Sequence, residues 1–215
     1  MIYRRRIDYL GARSSAILDF CRDKVVFHFG AADWPDTLGK GAKGNLLHQK
    51  LSEISSKLYG ADLEPAGVQW LAQNGYEVSR IDICRDDFHL PSDVQVVIFG
   101  EIIEHLDDVG AALWRLHKGM PDAAKIVTTT PNAFYGQNFF NGVMGVENQH
   151  PDHVCLFSPV TLVSSFERAG FKCEQLATCK LDRGGKGKIS QRFWSAAASF
   201  FPSLGETIYA VFSKK

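Results

Sequence analysis

The sequence predicts an α/β fold: a doubly wound, mostly parallel sheet of seven strands with an antiparallel strand at its edge. Three observations lead there. Short apolar runs rich in β-branched residues, such as Lys24–Gly30 (K-V-V-F-H-F-G) and Gln95–Gly100 (Q-V-V-I-F-G), read as strands covered on both faces. These runs alternate with helical segments, and that alternation implies crossovers between parallel strands. The last two strand candidates are joined by a basic and then aromatic stretch instead of an ordinary crossover helix, which suits one antiparallel pair at the sheet edge.

The elements follow in order. Ser14–Cys21 reads as a short helix with Ser14 or Ser15 as its cap. Lys24–Gly30 is the first strand, followed by a Gly-, Ala- and Lys-rich loop over 31–44. Asn45 can cap a helix through about Lys57, with Leu46, Leu47, Leu51 and Ile54 on its apolar side. Leu58–Leu63 is the second strand. Pro65 suits the first turn of the next helix, and Asn74-Gly75 stops it. Tyr76–Cys84 and Gln95–Gly100 are the third and fourth strands. Gly110–Lys118 is helical, stopped by Gly119. Lys125–Thr130 is the fifth strand, closed by Pro131-Asn132. Pro159–Ala169 is a helix ended by Gly170, and Phe171–Cys179 and Thr207–Ser213 are the last two strands.

The chain has 215 residues and 45% hydrophobic content, enough for one domain with a full core, here taken as 1–215 with a basic and aromatic insertion at 180–206. Its net charge is zero, which argues against a nucleic-acid partner held by broad electrostatic attraction. The five cysteines are scattered and form no C-x-x-C, so reduced thiols in a cytoplasmic protein are expected. No apolar core follows the basic triplet Arg4–Arg6, so no secretory signal is expected, and no stretch is long enough to span a bilayer.

The chemistry gathers just after the fourth strand, in G-E-I-I-E-H-L-D-D. If the chain turns helical at Glu101, offsets of three and four put Glu101, Glu104 and His105 on one face. Two carboxylates and an imidazole there are half of a metal site, at the sheet edge where open α/β folds bind ligands. A solvated helix face would carry the same residue types. The position after a buried strand, and a second cluster at His150 and His153, favour the metal reading.

The motif order from about Lys24 to Lys214 resembles class I S-adenosylmethionine-dependent methyltransferases, which implies the Rossmann-like form of the doubly wound sheet. The first strand and turn, V-V-F-H-F-G-A-A-D, stand where that family has an acid and a glycine-rich turn. This chain keeps Gly30, followed by Ala31, but has His28 at the acidic position. The resemblance assigns Asp62, after the second strand, to the ribose hydroxyls, with Glu64 as the alternative. It assigns Asp82 and Ile83 to the adenine ring, and Gly30, Ala31 and Gly100 to the cofactor site. E-I-I-E-H-L, then V-T-T-T-P-N, then H-P-D-H-V-C-L-F-S-P is similar to a metal-dependent subset that includes ubiquinone-pathway O-methyltransferases and terminal 2′-O-methyltransferases of small RNAs. That likeness implies Glu101, Glu104, His105 and His153 as ligands of a divalent metal, with His150 the rival for the fourth place and the nearest candidate base. Mg²⁺ or Mn²⁺ suits the mixed ligand set best, with Zn²⁺ also compatible. The implied cofactor is S-adenosylmethionine. The implied acceptor is a hydroxyl on a sugar, glycan or other small polar diol; an RNA terminus, or a binding subunit without catalysis, is the alternative.

Two stretches stand outside these motifs. Ala133–Gln149 is aromatic, glycine-rich and amide-rich, and reads either as a lid over the acceptor or as a plain surface loop. Lys180–Arg192 carries Lys180, Arg183, Lys186, Lys188 and Arg192, followed by Phe193, Trp194, Phe200 and Phe201. That pattern suits peripheral contact with a membrane or a lipid-linked acceptor. An edge helix packed on the sheet, or on a second subunit in a homodimer, fits it as well.

Overall fold

The computed structural model describes residues 6–181 and 189–215. One eight-stranded sheet runs β1 (Asp8–Ala12), β7 (Phe171–Lys180), β8 (Thr207–Lys214), β6 (Lys125–Pro131), β5 (Val96–Gly100), β2 (Val25–Phe29), β3 (Lys57–Asp62) and β4 (Glu77–Arg80) in spatial order. The doubly wound, mostly parallel α/β class holds, with two differences. β1 is an eighth strand, parallel to β7. The antiparallel strand β8 is not at the edge: it lies between β6 and β7 and is antiparallel to both. This follows from its composition, because six of its eight residues are buried and a strand that apolar needs neighbours on both sides.

Side-chain alternation builds two cores from the same strands. Phe27, Phe29, Val97, Phe99 and Ile126 face one side, where α5 (Val109–Gly119) and α7 (Pro159–Arg168) bring Leu113, Leu116, Leu162 and Phe166. Val26, Val96, Ile98 and Val127 face the other, covered by Ile17 of α1 (Arg13–Cys21) and Leu51 of α3 (Leu47–Ile54). A short α2 (Thr37–Gly41) stands inside the segment expected to be loop. α4 (Pro65–Gln73) begins and stops where Pro65 and Asn74-Gly75 require. Ser158 caps α7 by accepting from the Thr161 N–H at 3.2 Å, which fixes the exit of the loop before it.

The segment expected to be a lid or loop contains α6 (Gly136–Val143), and the insertion before β8 contains α8 (Ile189–Phe200). The two helices pack together at Gly136, where an added Cβ would run into the Trp194 ring. No helix among the described residues is long and apolar enough to cross a membrane.

The strand order places the topological switch between β2 and β5, whose registers align Phe29 with Phe99. Gly30, Asp62, Glu101 and Thr130 therefore finish neighbouring strands at one edge of the sheet.

Candidate functional site

Two adjoining cavities open at this edge. The smaller, about 260 Å³, lies over β2, β3 and β5 and the turn after β4. The larger, about 1140 Å³, runs from the Asp33–Lys40 loop past β5 and β6 to α6 and the His150–His153 turn. They share Gly30, Asp62, Leu63, Glu101, Ile102 and His105, so a molecule filling the first reaches the second.

The smaller cavity receives the residues expected at an adenosine. Gly30 adopts φ +70, the left-handed region that favours glycine, and a Cβ there would press on Ile102 Cδ1 at 3.0 Å. Asp62 borders both cavities. Its Oδ2 accepts from the Ala32 N–H at 2.8 Å and its Oδ1 from the Glu64 N–H at 3.0 Å. These bonds fix the carboxylate and leave each oxygen a further lone pair. Glu64 instead accepts from the Ala66 N–H at the start of α4 and borders only the larger cavity.

Strand β4 ends at Arg80, short of the expected Cys84, so Asp82 and Ile83 sit in the turn beyond it. Burial pushes the Asp82 carboxyl up, but the Arg85 guanidinium at 2.8 Å and the Cys84 N–H outweigh it and hold it below the usual carboxylate range. Ala31 and Gly100 line only the larger cavity. His28, at the position where an acid was expected, points to the α3 face. It is buried, with its Nδ1 3.2 Å from His48 Nδ1.

The chain does not turn α-helical at Glu101. Glu101 takes φ +53, and a single 3₁₀ turn, Ile103–His105, follows. A non-glycine residue held there is a strained point of the backbone. Glu104 thereby points inward and is 1% exposed, while His105 points into the cleft. The loop after α6 closes on the same place: the Val154 and Cys155 N–H groups donate to the Glu104 carbonyl at 2.9 and 3.1 Å.

Glu104, His105 and His153 each present one ligand atom, all within 4.8 Å of one another. Thr130 Oγ1 donates to Glu104 Oε2 at 2.9 Å, and among the described residues Glu104 Oε1 is buried without a hydrogen-bond partner, as is His153 Nδ1. His105 Nδ1 lies 3.0 Å from the Asp152 carbonyl, which only accepts, so Nδ1 carries a proton and Nε2 is the nitrogen left for another partner. Burial and the neighbouring Glu101 push the Glu104 carboxyl up to about 8. Burial, then His105 and His150, hold the His153 imidazole below its usual range and so neutral. Paired acids beside imidazole nitrogens, with inward polar atoms unmatched, fit a divalent cation.

Glu101 stands outside this trio, where sequence spacing had put it on one face with Glu104 and His105. Its Oε1 lies 3.6 Å from Arg13 Nη1, at the start of α1. Burial raises its carboxyl, with Arg13 and Thr129 opposing. Arg13 is a site residue that sequence reasoning missed, because nothing in R-S-S-A-I-L marks it. Asn132, just past the end of β6, is fully buried. Its amide donates to the Ser203 and Gly205 carbonyls at 2.9 and 2.7 Å, so it anchors the turn. His150 is exposed and its ring centroid lies 5.5 Å from that of His153, at the rim of the trio. Of the basic residues singled out before β8, Lys180 and Arg192 are exposed, and Arg183, Lys186 and Lys188 lie outside the described residues.

Comparison with known proteins bears on this geometry. Residues 10–176 match the family described as a methyltransferase domain. The chain is similar in fold to the methyltransferase of a Haloferax volcanii complex with the Trm112 methyltransferase activator (TM-score 0.62, 12% identity, 94% of this chain and 87% of that one). It is similar to an S-adenosylmethionine-dependent methyltransferase from Archaeoglobus fulgidus (TM-score 0.56, 17% identity, 94% and 91%). It is also similar to part of the small RNA methyltransferase HEN1 (TM-score 0.59, 14% identity, 94% of this chain and 25% of that one). No protein of curated function matches it in sequence.

Proposed function

Because the chain belongs to the methyltransferase-domain family, with S-adenosylmethionine as donor, we propose that it methylates a hydroxyl of a sugar or other small polar diol with the help of a divalent cation. The observation that carries this reading is the convergence of Glu104, His105 and His153, with unmatched buried lone pairs, where the two cavities meet.

In this reading the smaller cavity takes the adenosine half of the donor. Asp62 accepts from the ribose hydroxyls with its remaining lone pairs, Ile83 packs on the ring and Asp82 orders the turn that meets the adenine edge. Gly30 keeps the passage into the larger cavity open. Glu104, His105 and His153 hold the cation, and Glu101, whose charge acts on Glu104, joins them by leaving Arg13. When bound, such a cation lowers the pKa of a coordinated hydroxyl and fixes it in place, which addresses the weak nucleophilicity of a neutral alcohol. His150, at the rim, is placed to take the proton that the acceptor loses. The acceptor side of the cleft is amide-rich: Gln137, Asn138, Asn141 and Asn148 border it, with Tyr135 beside them. Amides pair donor and acceptor in one group and so match vicinal hydroxyls.

A methyl-transfer screen over glycans, phenols and RNA ends, in Mg²⁺, Mn²⁺ or Zn²⁺ and in EDTA, tests the reading. Transfer should require a divalent ion, and His105→Ala should abolish transfer and metal uptake while donor affinity stays within a few-fold. Full activity of that variant in EDTA would end the metal assignment. A second reading, methylation of an RNA terminus, is favoured by the fold likeness to the small RNA methyltransferase HEN1. The zero net charge weighs against it, and salt-dependent RNA binding would decide for it. Absence of donor binding by calorimetry, with or without metal, would favour a subunit that does not catalyse.

A further inference from the structure

Helix α6 has its amphipathicity reversed. Gln137, Asn138 and Asn141 face the larger cavity, while Phe139, Phe140 and Val143 stand 75%, 55% and 71% exposed. A helix on a water-facing surface turns its polar side outward. The adjoining α8 repeats the pattern. Ala198 is buried, Ser195 Oγ lies 2.9 Å from the Tyr9 hydroxyl and Trp194 packs over Gly136, yet Phe193, Phe200 and Phe201 are exposed. Contiguous exposed aromatics of this kind mark an interaction surface.

We propose that the apolar faces of α6 and α8 dock on an anionic lipid surface, so that the acceptor cleft receives hydroxyls displayed at the headgroup plane.

Charge selects this occupant. Lys180, at the end of β7, and Arg192, within α8, are exposed, and the sequence between them adds Arg183, Lys186 and Lys188 against the single acid Asp182. In a chain of zero net charge, that is a strongly basic stretch of sequence leading into the aromatic helix. The pairing suits an interface rich in anionic headgroups, where basic side chains and aromatic rings act together. A second copy of the chain suits it poorly, because a two-fold contact centred on α8 sets the exposed Arg192 of each copy near a like charge. The helices are too short to span a bilayer, at 8 and 12 residues, and lie on it instead. The polar side of α6 then becomes a wall of the cleft that stands at the membrane surface. The acceptor half of this inference rests on the function proposed above; the docking half does not.

Co-sedimentation of the full chain with vesicles tests it, in EDTA and without donor or acceptor, so that failure of the metal reading leaves the result untouched. The chain should bind phosphatidylcholine–phosphatidylglycerol vesicles at low salt, bind phosphatidylcholine alone weakly, and be released by salt. The double variants F139S/F140S and F200S/F201S should each lower the partition coefficient by about tenfold or more. Their melting temperatures, donor affinity and methyl transfer to a soluble diol should match the unmodified chain. Lack of binding to the anionic vesicles would overturn the proposal, as would two double variants that bind as well as the unmodified chain. A dimer in solution that F139S/F140S dissolves would overturn it in favour of a contact between copies.

Discussion

Glu104→Gln isolates the central electrostatic feature of the site. The Glu104 carboxyl is 1% exposed, and burial together with Glu101 raises its pKa from 4.5 to about 8. The folded chain therefore keeps a proton that the unfolded chain releases near pH 4.5. The folded state binds more protons, so stability falls as pH rises, from the unfolded value up to the folded one. Between pH 6.5 and 8.5 the metal-free chain should lose about 2 kcal/mol from this group. Glu101, raised mainly by burial, adds in the same direction. His28, His48 and His153 are held below 6.5 and stay neutral throughout this window. Glutamine keeps the acceptor for Thr130 and removes the titration. Urea unfolding in EDTA should then show a slope against pH that is shallower by about 2 kcal/mol over the same range. Mn²⁺ at a hundredfold its dissociation constant should return about 2.7 kcal/mol to the unmodified chain at pH 8. The variant should gain far less. Equal stability of the unmodified chain at pH 6.5 and 8.5 in EDTA would refute the buried-acid argument. Equal stabilisation of both chains by Mn²⁺ would put the ion elsewhere.

Two other outcomes separate the parts of the site and of the fold. Asp62→Asn should weaken S-adenosylmethionine binding by about tenfold or more, the worth of a lost charge-assisted hydrogen bond, while Mn²⁺ uptake measured by calorimetry stays unchanged. On the other face of the sheet, burial pushes His48 down to about 4, and His28 is held low beside it for the same reason. The unfolded chain takes up protons near 6.5 and the fold does not, so stability should fall as pH drops from 6.5 to 4, by about 3 kcal/mol for His48 alone. His48→Gln should flatten that acid limb in denaturant titrations at pH 4, 5 and 6.5.

What the sequence disclosed, and what it withheld, follows from where the information resides. β2 and β5 were legible because a strand buried on both faces must be apolar at consecutive positions, and V-V-F-H-F and V-V-I-F-G leave no other reading in a chain this short of long helices. α7 was legible because Ser158, Pro159 and Thr161 specify a helix start locally. β1 was not, since D-Y-L-G-A has one partner, no alternating pattern and a glycine at φ +74. The place of β8 between β6 and β7 is a matter of order among strands, which no local pattern encodes. α6 escaped because helix periodicity is read from an apolar face that turns inward, and its apolar face turns outward.

The site divides the same way, and the division explains why spacing found it for an incomplete reason. E-x-x-E-H was read as one face of a helix, and there is no helix. A left-handed Glu101 and one 3₁₀ turn bring Glu104 and His105 beside His153, and divert Glu101 toward Arg13. Residue types alone point to a cation, because carboxylates and imidazoles collected at the switch point suit one in almost any backbone. Backbone conformation decided which of them meet. Arg13 leaves no trace in the sequence because its role depends on α1 packing over the sheet so that Arg13, at its start, reaches Thr129 of β6 and Glu101 after β5. Whether Glu101 completes the ligand set thus turns on a competition between a guanidinium 3.6 Å away and a cation that also has Glu104 to hold it. A divalent ion shared by two buried carboxylates relieves their mutual repulsion as well as their burial; Arg13 relieves mainly one of them, and on that ground the ion should win Glu101 when present.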